Sequence, residues 1–194
     1  GITLTDMVWT HAPVIGDQPE IHIGLFPGDQ GGIGFKIYST RTEAGDPVLH
    51  SEGSAELEAL NRTETLDIQA LQMECIDHIL PRGDDEALRT TGANYDSEFQ
   101  SAEQVYIGQG LVLAKLSLPS GIANTGGLFV MHPFMTSAAL QLPLYLLSNN
   151  ENVMQFNGID SREKILPTAI DKLQIFQECP SKMWALVRHG RGNQ

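Results

Sequence analysis

The sequence has little of what several classes of protein depend on. Its 194 residues include only two cysteines, Cys75 and Cys179, which lie too far apart to suggest a disulfide framework or a zinc site. There are 12 lysines and arginines against 24 aspartates and glutamates, so the formal net charge is -12. A chain of that charge repels nucleic acid phosphates and anionic membrane surfaces. We therefore expect no metal site and no nucleic acid or membrane partner.

Long apolar runs are missing as well. No stretch reaches the roughly 18 consecutive apolar residues that a membrane-spanning helix needs, and the first residues lack the basic start and apolar run of a signal peptide. Hydrophobic residues still make up 41% of the chain and charged residues 19%, a balance typical of folded globular proteins. We expect one compact cytoplasmic unit.

The first third shows the alternation of half-buried β-strands. Residues 20–26 and 33–39 place apolar side chains at every second position, and PGDQGG at 27–32 has the composition of a turn. Residues 48–57 form a third predicted strand after a break at EAGDP. The pattern predicts a three-strand antiparallel meander over residues 1–57.

The middle of the chain is polar and is broken by glycine and proline. We interpret residues 58–101 as a linker that contains one short amphipathic helix over 66–79. The helical spacing is carried by Ile68, Leu71, Cys75 and Ile79.

The remainder, residues 102–194, begins with a predicted hairpin. EQVYI at 103–107 and LVLAKLSL at 111–118 have strong strand patterns, and the GQG between them is a tight turn. At the other end of this part, 170–176 and 182–188 predict two more strands.

Between these strand pairs lies the predicted central helix, residues 132–147. It is apolar almost all round, which is typical of a buried helix, and it carries Pro133 in its first turn. Pro143 removes an internal backbone donor, so it should kink the helix or end its regular part. A buried helix among antiparallel strands is an α+β arrangement, and the absence of βαβ units and of GxGxxG argues against a Rossmann-like nucleotide binder.

Several stretches together resemble the dehydratase domains of modular polyketide synthases, especially those that are served by a separate acyltransferase. They follow the family's order and cover most of the chain. The stretches are IHIGLFP (21–27), HSEGSAEL (50–57), GANYDSEFQ (92–100), VYIGQGLVLAKLSLP (105–119), HPFMTSAALQ (132–141), LPTAIDKLQIF (166–176) and KMWALVR (182–188).

The resemblance implies a double hot-dog, in which each half is a helix wrapped by a curved antiparallel sheet and the active site lies where the halves meet. Such domains remove water from a 3-hydroxyacyl chain that an acyl carrier protein holds on its phosphopantetheine arm. A histidine takes the proton next to the thioester carbonyl, and an aspartate on the second helix helps the hydroxyl leave.

Both catalytic positions depart from the family pattern. The family's histidine lies in HxxxGxxxxP, and none of the six histidines here has glycine four residues on. The family's aspartate is the sixth residue of HPxxxD, and that position, counted from His132, is Ser137. A serine hydroxyl cannot supply a proton as a carboxylic acid does. We therefore predict that this domain has no catalytic dyad.

The resemblance also places Gly1 at about the last strands of the first hot-dog half and the end of the chain before the family's last strand. We accordingly expect a partial or shortened double hot-dog, in which 1–57 is the remnant of the first half and 102–194 is the second half. A sheet without its helix exposes apolar residues such as Ile21, Phe35 and Leu49. The 66–79 helix, a neighbouring domain, a preceding segment of a longer polypeptide or a second copy in a homodimer could cover them.

The candidate substrate-tunnel residues are few. Ser137 and Gln141 are four apart on one helix face, which the resemblance directs into the tunnel. The alternative is that both bond to nearby backbone. His132 is interpreted mainly as a helix-start residue, with ligand contact as the alternative. Tyr95 and Phe99 correspond to the family's tunnel mouth, where Asp96 and Ser97 replace Gly-Pro.

We therefore predict a catalytically degenerate, dehydratase-like domain that is structural, or that positions a carrier-bound polyketide thioester for an adjacent ketosynthase, for example during chain branching. No cofactor binds directly; the phosphopantetheine arm of the acyl carrier protein delivers the substrate. The alternative is a fragment of an active 3-hydroxyacyl carrier protein dehydratase, isomerase or cyclase. A free-standing thioesterase or hydratase is disfavoured, since residues 132–147 hold no carboxylate.

Overall fold

The computed structural model describes residues 1–11, 20–28, 31–40, 46–59, 65–79, 101–148 and 168–190. The chain divides into two compact units. The first unit comprises Gly1–Thr63 and Leu166–Gln177, and the second comprises Glu64–Ile165 and Glu178–Gln194. Within the described ranges, no helix has both the length and the apolar character needed to cross a membrane.

The first unit is built on one five-stranded antiparallel sheet of order β2-β3-β4-β1-β8. The predicted meander is present as its neighbouring strands β2, β3 and β4. The bounds of all five strands are β1 Ile2–Trp9, β2 Glu20–Pro27, β3 Ile33–Thr40, β4 Val48–Leu57 and β8 Ala169–Ile175.

Strand β1 was not predicted, and its backbone explains why. Asp6 has a positive φ of 52°, and the register against β4 shifts between Thr5 and Val8. The apolar residues of the strand, Ile2, Leu4, Met7 and Val8, accordingly keep no regular period of two in the sequence. The prediction of three strands in residues 1–57 is wrong, because the described residues of this range form four.

Strand β8 corrects a second prediction. Residues 170–176 are predicted to belong to the second hot-dog half, but β8 pairs antiparallel with β1, and Ile2 lies opposite Ile175. The strand therefore belongs to the first unit. The second unit is discontinuous at that point, so the single span 102–194 does not describe it.

The apolar face of the first sheet is partly open to solvent, as the alternation of β2 leads one to expect. Ile21, Ile23 and Leu25 are 52%, 68% and 66% exposed. Their partners across the sheet include Phe35, which with Leu49 is half-buried. The predicted exposure thus falls mainly on the edge strand.

The described residues of the second unit form a four-stranded antiparallel sheet of order β5-β6-β7-β9 and three α-helices. A 3-10 segment spans Ser120–Leu128. The elements are α1 Ile68–Met73, β5 Cys75–Ile79, β6 Ala102–Gly108, β7 Leu111–Ser117, α2 Pro133–Gln141, α3 Pro143–Ser148 and β9 Lys182–Arg188.

The linker prediction for residues 58–101 needs correction. Helix α1 begins as expected, with the Asp67 carboxylate accepting from the amides of Gln69 and Ala70 at 3.0 and 3.1 Å, but it ends at Met73. After Glu74, the five residues Cys75–Ile79 form β5, which pairs with β6. The apolar residues whose spacing predicts one helix over 66–79 therefore belong partly to a short helix and partly to an edge strand.

The core of the second unit lies between β7 and the helix pair. Val112, Ala114 and Leu116 are fully buried on one face of β7 and cluster with side chains from both helices. The helical partners are Met135, Ala138, Leu142, Tyr145 and Leu146. The predicted hairpin and buried helix are both confirmed, and Pro143 ends the regular part, because α2 stops at Gln141 and α3 begins at Pro143.

Candidate functional site

Helix α2 carries the candidate site, and its sequence explains how it begins. Pro133 occupies the first turn, where no intrahelical amide donor is required. His132, in an extended conformation, is the N-cap, and its Nδ1 accepts a hydrogen bond from the Phe134 amide at 3.3 Å. The interpretation of His132 as a helix-start residue is confirmed.

The second nitrogen of His132 continues a short hydrogen-bond chain. Its Nε2 lies 2.9 Å from Thr125 Oγ1, and that hydroxyl donates its own proton to the Ile122 carbonyl at 2.7 Å. Since the Thr125 hydroxyl proton is already donated to the Ile122 carbonyl, His132 must donate from Nε2 while its Nδ1 accepts. The imidazole is thus held as one neutral tautomer, 4% exposed, and both of its nitrogens are engaged with protein groups.

Two phenylalanines enclose the same ring. Phe129 meets it edge-on, with ring centroids 5.0 Å apart, and Phe134 stacks on it at 5.5 Å. Burial, two hydrogen bonds and two ring contacts all restrict the imidazole to one position. We therefore assign His132 the task of fixing the helix start and the 3-10 segment, and not that of touching a ligand.

Ser137 and Gln141 lie together on one flank of α2, along with Phe134. All three are partly buried, while Met135, Ala138 and Leu142 face the core. The Gln141 side-chain amide donates to Ser137 Oγ at 3.2 Å. The structure therefore brings together two of the predicted tunnel residues, and they bond to each other instead of to nearby backbone. Tyr95 and Phe99 lie outside the described residues.

The chemistry open to this flank is limited. Residues 133–148 contain no carboxylate and no imidazole. Ser137 can donate or accept a hydrogen bond, but its hydroxyl does not ionise near neutral pH and cannot act as a carboxylic acid would. Over the described part of the chain there is also no group of three or more His, Cys, Asp or Glu side chains that could hold a metal ion. The arrangement can bind and orient an uncharged group.

A buried hydrogen-bonded pair in the first unit was not foreseen. His50 and Ser39 are 7% and 6% exposed, and His50 Nε2 lies 2.8 Å from Ser39 Oγ. His50 Nδ1 lies 2.9 Å from the His11 carbonyl, which can only accept, so the ring donates there and accepts from Ser39. The register shift beside His50 creates this contact, and no sequence spacing signals it. Because every polar group of the pair is satisfied and buried, we interpret it as structural.

Among the described residues, the groups whose pKa departs from the ordinary value are Glu103 and Cys75, and neither is part of α2. Ser117 donates to Glu103 at 2.6 Å and Lys115 lies 3.0 Å from the same carboxylate, and these contacts lower the pKa of Glu103. Burial, followed by the nearby charge of Glu74, raises the pKa of the Cys75 thiol. Neither group lies on the helix that carries Ser137.

The family model described as "Polyketide synthase dehydratase N-terminal domain" matches residues 63–193. Polyketide synthase PksN of Bacillus subtilis (strain 168) is 35% identical over 198 residues, which cover 100% of this chain and 4% of that protein. PksM of the same organism is 32% identical over 191 residues, which cover 97% of this chain and 4% of that protein. The chain thus spans a small fraction of the length of these relatives.

Solved structures give the same result. A trans-AT PKS dehydratase domain from Brevibacillus brevis superimposes with a TM-score of 0.83 at 33% identity, covering 100% of this chain and 65% of that one. An inactive mutant of the CurK dehydratase, in which an aspartate is replaced by asparagine, superimposes with a TM-score of 0.79 at 25% identity. The match covers 99% of this chain and 66% of that one. The predicted α+β hot-dog fold is confirmed.

Proposed function

Since the chain belongs to the dehydratase domains of modular polyketide synthases, we propose that it is a member without dehydratase activity that positions a carrier-bound polyketide for a neighbouring ketosynthase. The polyketide arrives as a thioester on the phosphopantetheine arm of an acyl carrier protein. Chain branching, in which the ketosynthase forms the carbon-carbon bond, is the proposed setting. The compartment we propose is the cytoplasm.

The proposal rests on Ser137. It occupies the family's acid position, its nearest side-chain partner is the neutral amide of Gln141 at 3.2 Å, and no carboxylate lies elsewhere on the two helices. In the CurK dehydratase, replacing one aspartate by asparagine gives an inactive mutant. Elimination of water needs a group that delivers a proton to the departing hydroxyl, and this helix supplies none.

The remaining features favour binding over chemistry. The hot-dog helix is rigidly placed, because its start is fixed by His132 and its inner face is packed on β7. A rigid polar flank on such a helix can hold an acyl chain in one orientation. Holding a reactant close to its partner accelerates a reaction without any proton transfer, which is the contribution we assign to this domain.

Water loss is the direct test. The intact synthase module is loaded with a 3-hydroxyacyl carrier protein, and the acyl chain is followed by mass spectrometry beside a dehydratase of the same family as positive control. We expect the positive control to lose water and this module's chain to keep its hydroxyl. Dehydration by this domain would refute the proposal.

Positioning is tested separately through the ketosynthase. The rate of carbon-carbon bond formation is compared between the intact module and the same module lacking this domain, with a small thioester that needs no carrier as the control substrate. We expect the carrier-bound reaction to slow by roughly tenfold or more while the control reaction is unchanged. Equal rates with the carrier-bound substrate would leave the domain without a positioning function.

The second candidate is an active dehydratase, isomerase or cyclase whose histidine is supplied outside these residues. It is favoured by the 33% identity to a trans-AT PKS dehydratase domain over the whole of this chain. Loss of water in the mass-spectrometric assay, or a double-bond shift or ring closure that is detected by adding a chromatographic separation of isomers, would select this candidate.

A further inference from the structure

We propose that the face of the second sheet that points away from helices α2 and α3 is a docking surface for an acidic amphipathic helix of a partner protein. Five side chains of β7 and β9 define this basic face, namely Lys115, Lys182, Trp184, Leu186 and Arg188. The identity of the partner rests on the proposed function, under which the helix belongs to the acyl carrier protein.

The alternation of side chains along β9 separates the basic face from the core. Every second residue of the strand packs against the core cluster, namely Met183, Ala185 and Val187. Successive side chains of a strand point to opposite faces, so the four β9 residues of the basic face point away from the helices. Lys115 of β7 does the same, because its neighbours Ala114 and Leu116 are in the core and it lies opposite Trp184.

The positive charge of the second unit is concentrated on this face. Lys115, Lys182 and Arg188 are all the lysines and arginines that the structure describes in that unit, and β7 and β9 contain no aspartate or glutamate. Lys115 lies 3.0 Å from the carboxylate of Glu103. Lys182 and Arg188 are exposed and form no ion pair with any described residue. These two cations can therefore pair with the acids of a partner.

Aromatic rings occupy the middle of the same face. Tyr106 stacks on His78 with ring centroids 4.3 Å apart, and its ring approaches that of Trp184 to 6.1 Å across β7. Leu113, which lies between Tyr106 and Leu186 in the sheet, is fully buried. Trp184 and Leu186 themselves are half-buried. Aromatic side chains inside a rim of charged ones are typical of the centre of a protein–protein interface.

The spacing of the charges indicates the shape of the partner. Lys182 and Arg188 are six residues apart on one strand, which is about 20 Å, and an α-helix of that length has about 13 residues. A helix with acidic residues near both ends and an apolar stripe between them matches the basic face. A second copy of the same face would bring cations onto cations, so it fits less well.

The overall charge of the chain makes this local surface decisive. The net charge of -12 repels an acidic partner from most of the protein. Charges further apart than ~8 Å are largely screened at physiological ionic strength, so a partner that reaches the basic face interacts mainly with the cations there. Docking on this face should therefore weaken with added salt.

Binding of the carrier protein to the intact module provides the test. The carrier protein of the same synthase is labelled with a fluorophore and used without its phosphopantetheine arm, so that acyl binding does not contribute to the anisotropy signal. We expect Lys182→Glu and Arg188→Glu each to weaken binding about threefold, and the double variant about tenfold. Reversing the acids of the carrier helix to lysine should restore binding to the double variant.

Lys172→Glu is the matched control. It makes the same change of charge at an exposed lysine that also forms no ion pair with a described residue, but this lysine lies on β8 in the first unit. We expect its affinity for the carrier protein to equal that of the wild type. Thermal melting of each variant separates loss of folding from loss of docking.

The outcomes are distinct from those of the function assays. Unchanged affinity in the double variant, or equal weakening by Lys172→Glu and Arg188→Glu, would overturn the docking surface and leave the absence of dehydration intact. A lower oligomeric mass of the double variant with unchanged carrier binding would assign the face to a second copy instead. Water loss from the acyl chain would refute the proposed function without affecting the docking result, since the carrier protein in the binding assay has no arm.

Discussion

Replacing His132 by alanine should destabilise the second unit by about 3 kcal/mol. Loss of the N-cap acceptor costs about 1 kcal/mol, and loss of the buried hydrogen bond to Thr125 costs about 1 kcal/mol more. The ring contacts with Phe129 and Phe134 contribute about another 1 kcal/mol. The side chain is 4% exposed, so solvent cannot readily replace these contacts.

His132→Asn separates the parts of this sum. Asparagine can still accept from the Phe134 amide as an N-cap, but it is too short to bridge to Thr125 and has no ring. We expect it to be about 1 kcal/mol more stable than the alanine variant and about 2 kcal/mol less stable than the wild type.

Urea denaturation followed by tryptophan fluorescence measures the loss within one unit. The chain has two tryptophans, Trp9 in the first unit and Trp184 in the second. A Trp9→Phe background leaves Trp184 as the sole reporter on the sheet that α2 covers, and linear extrapolation gives the free energy of unfolding. A loss below ~1 kcal/mol in His132→Ala, or equal stability of the two variants, would refute the assigned hydrogen-bond chain.

Two further predictions concern the second sheet. Gly110 has a φ of 75° in the β6–β7 turn, so Gly110→Ala should cost about 1–2 kcal/mol in urea denaturation, whereas Gly121→Ala, with open space around the new methyl group, should stay within ~0.5 kcal/mol of wild type. Ser117→Ala should raise the pKa of Glu103 towards its ordinary value more than Lys182→Ala does, because the Ser117 hydrogen bond is the largest cause of the lowering; NMR titration measures both. Since the pKa of Glu103 is lowered in the folded protein, its carboxylate stabilises the fold at higher pH, and this contribution is lost as the pH falls through the folded pKa. The difference in stability between Glu103→Gln and wild type should therefore close in acid. A difference that persists in acid would contradict the assignment.

The strands with regular alternation were predictable from sequence, and those without it were not. Strands β2, β3, β6 and β7 follow a period of two and pair with sequence neighbours. In β1 the bulge at Asp6 removes the period. Strand β5 is a short edge strand whose Cys75 and Ile79 also fit a helical spacing. Periodicity reports which side chains share a face, and an irregular backbone hides it.

The pairing of β8 could not be predicted for a related reason. Two strands that follow each other along the chain are usually neighbours in space, so the sequence predicts that 170–176 belongs to the same half as 182–188. The actual partner, β1, has an irregular backbone at Asp6 and lies far from β8 in the sequence, so no local signal links the two strands.

The candidate site was predictable in part. The helix, its break at Pro143 and the shared face of Ser137 and Gln141 all follow from spacing. Sequence does not specify side-chain rotamers. It therefore cannot predict that Gln141 donates to Ser137, or that the Thr136 hydroxyl donates to the His132 carbonyl. The Thr125–His132 contact links a 3-10 segment to a helix, which no motif anticipates.

The pairing of Ile2 with Ile175 has a consequence for how the chain acquires its structure during synthesis. Strand β1 leaves the ribosome before β8, so one of its two edges has no partner until β8 has been made. Closing such a long loop is entropically costly and slow. Until then β1 presents an unpaired edge of the kind that other nascent chains can join. Any recombinant version that ends before residue 169 would keep that edge permanently, and we would expect it to aggregate even though its second-unit hairpin is complete.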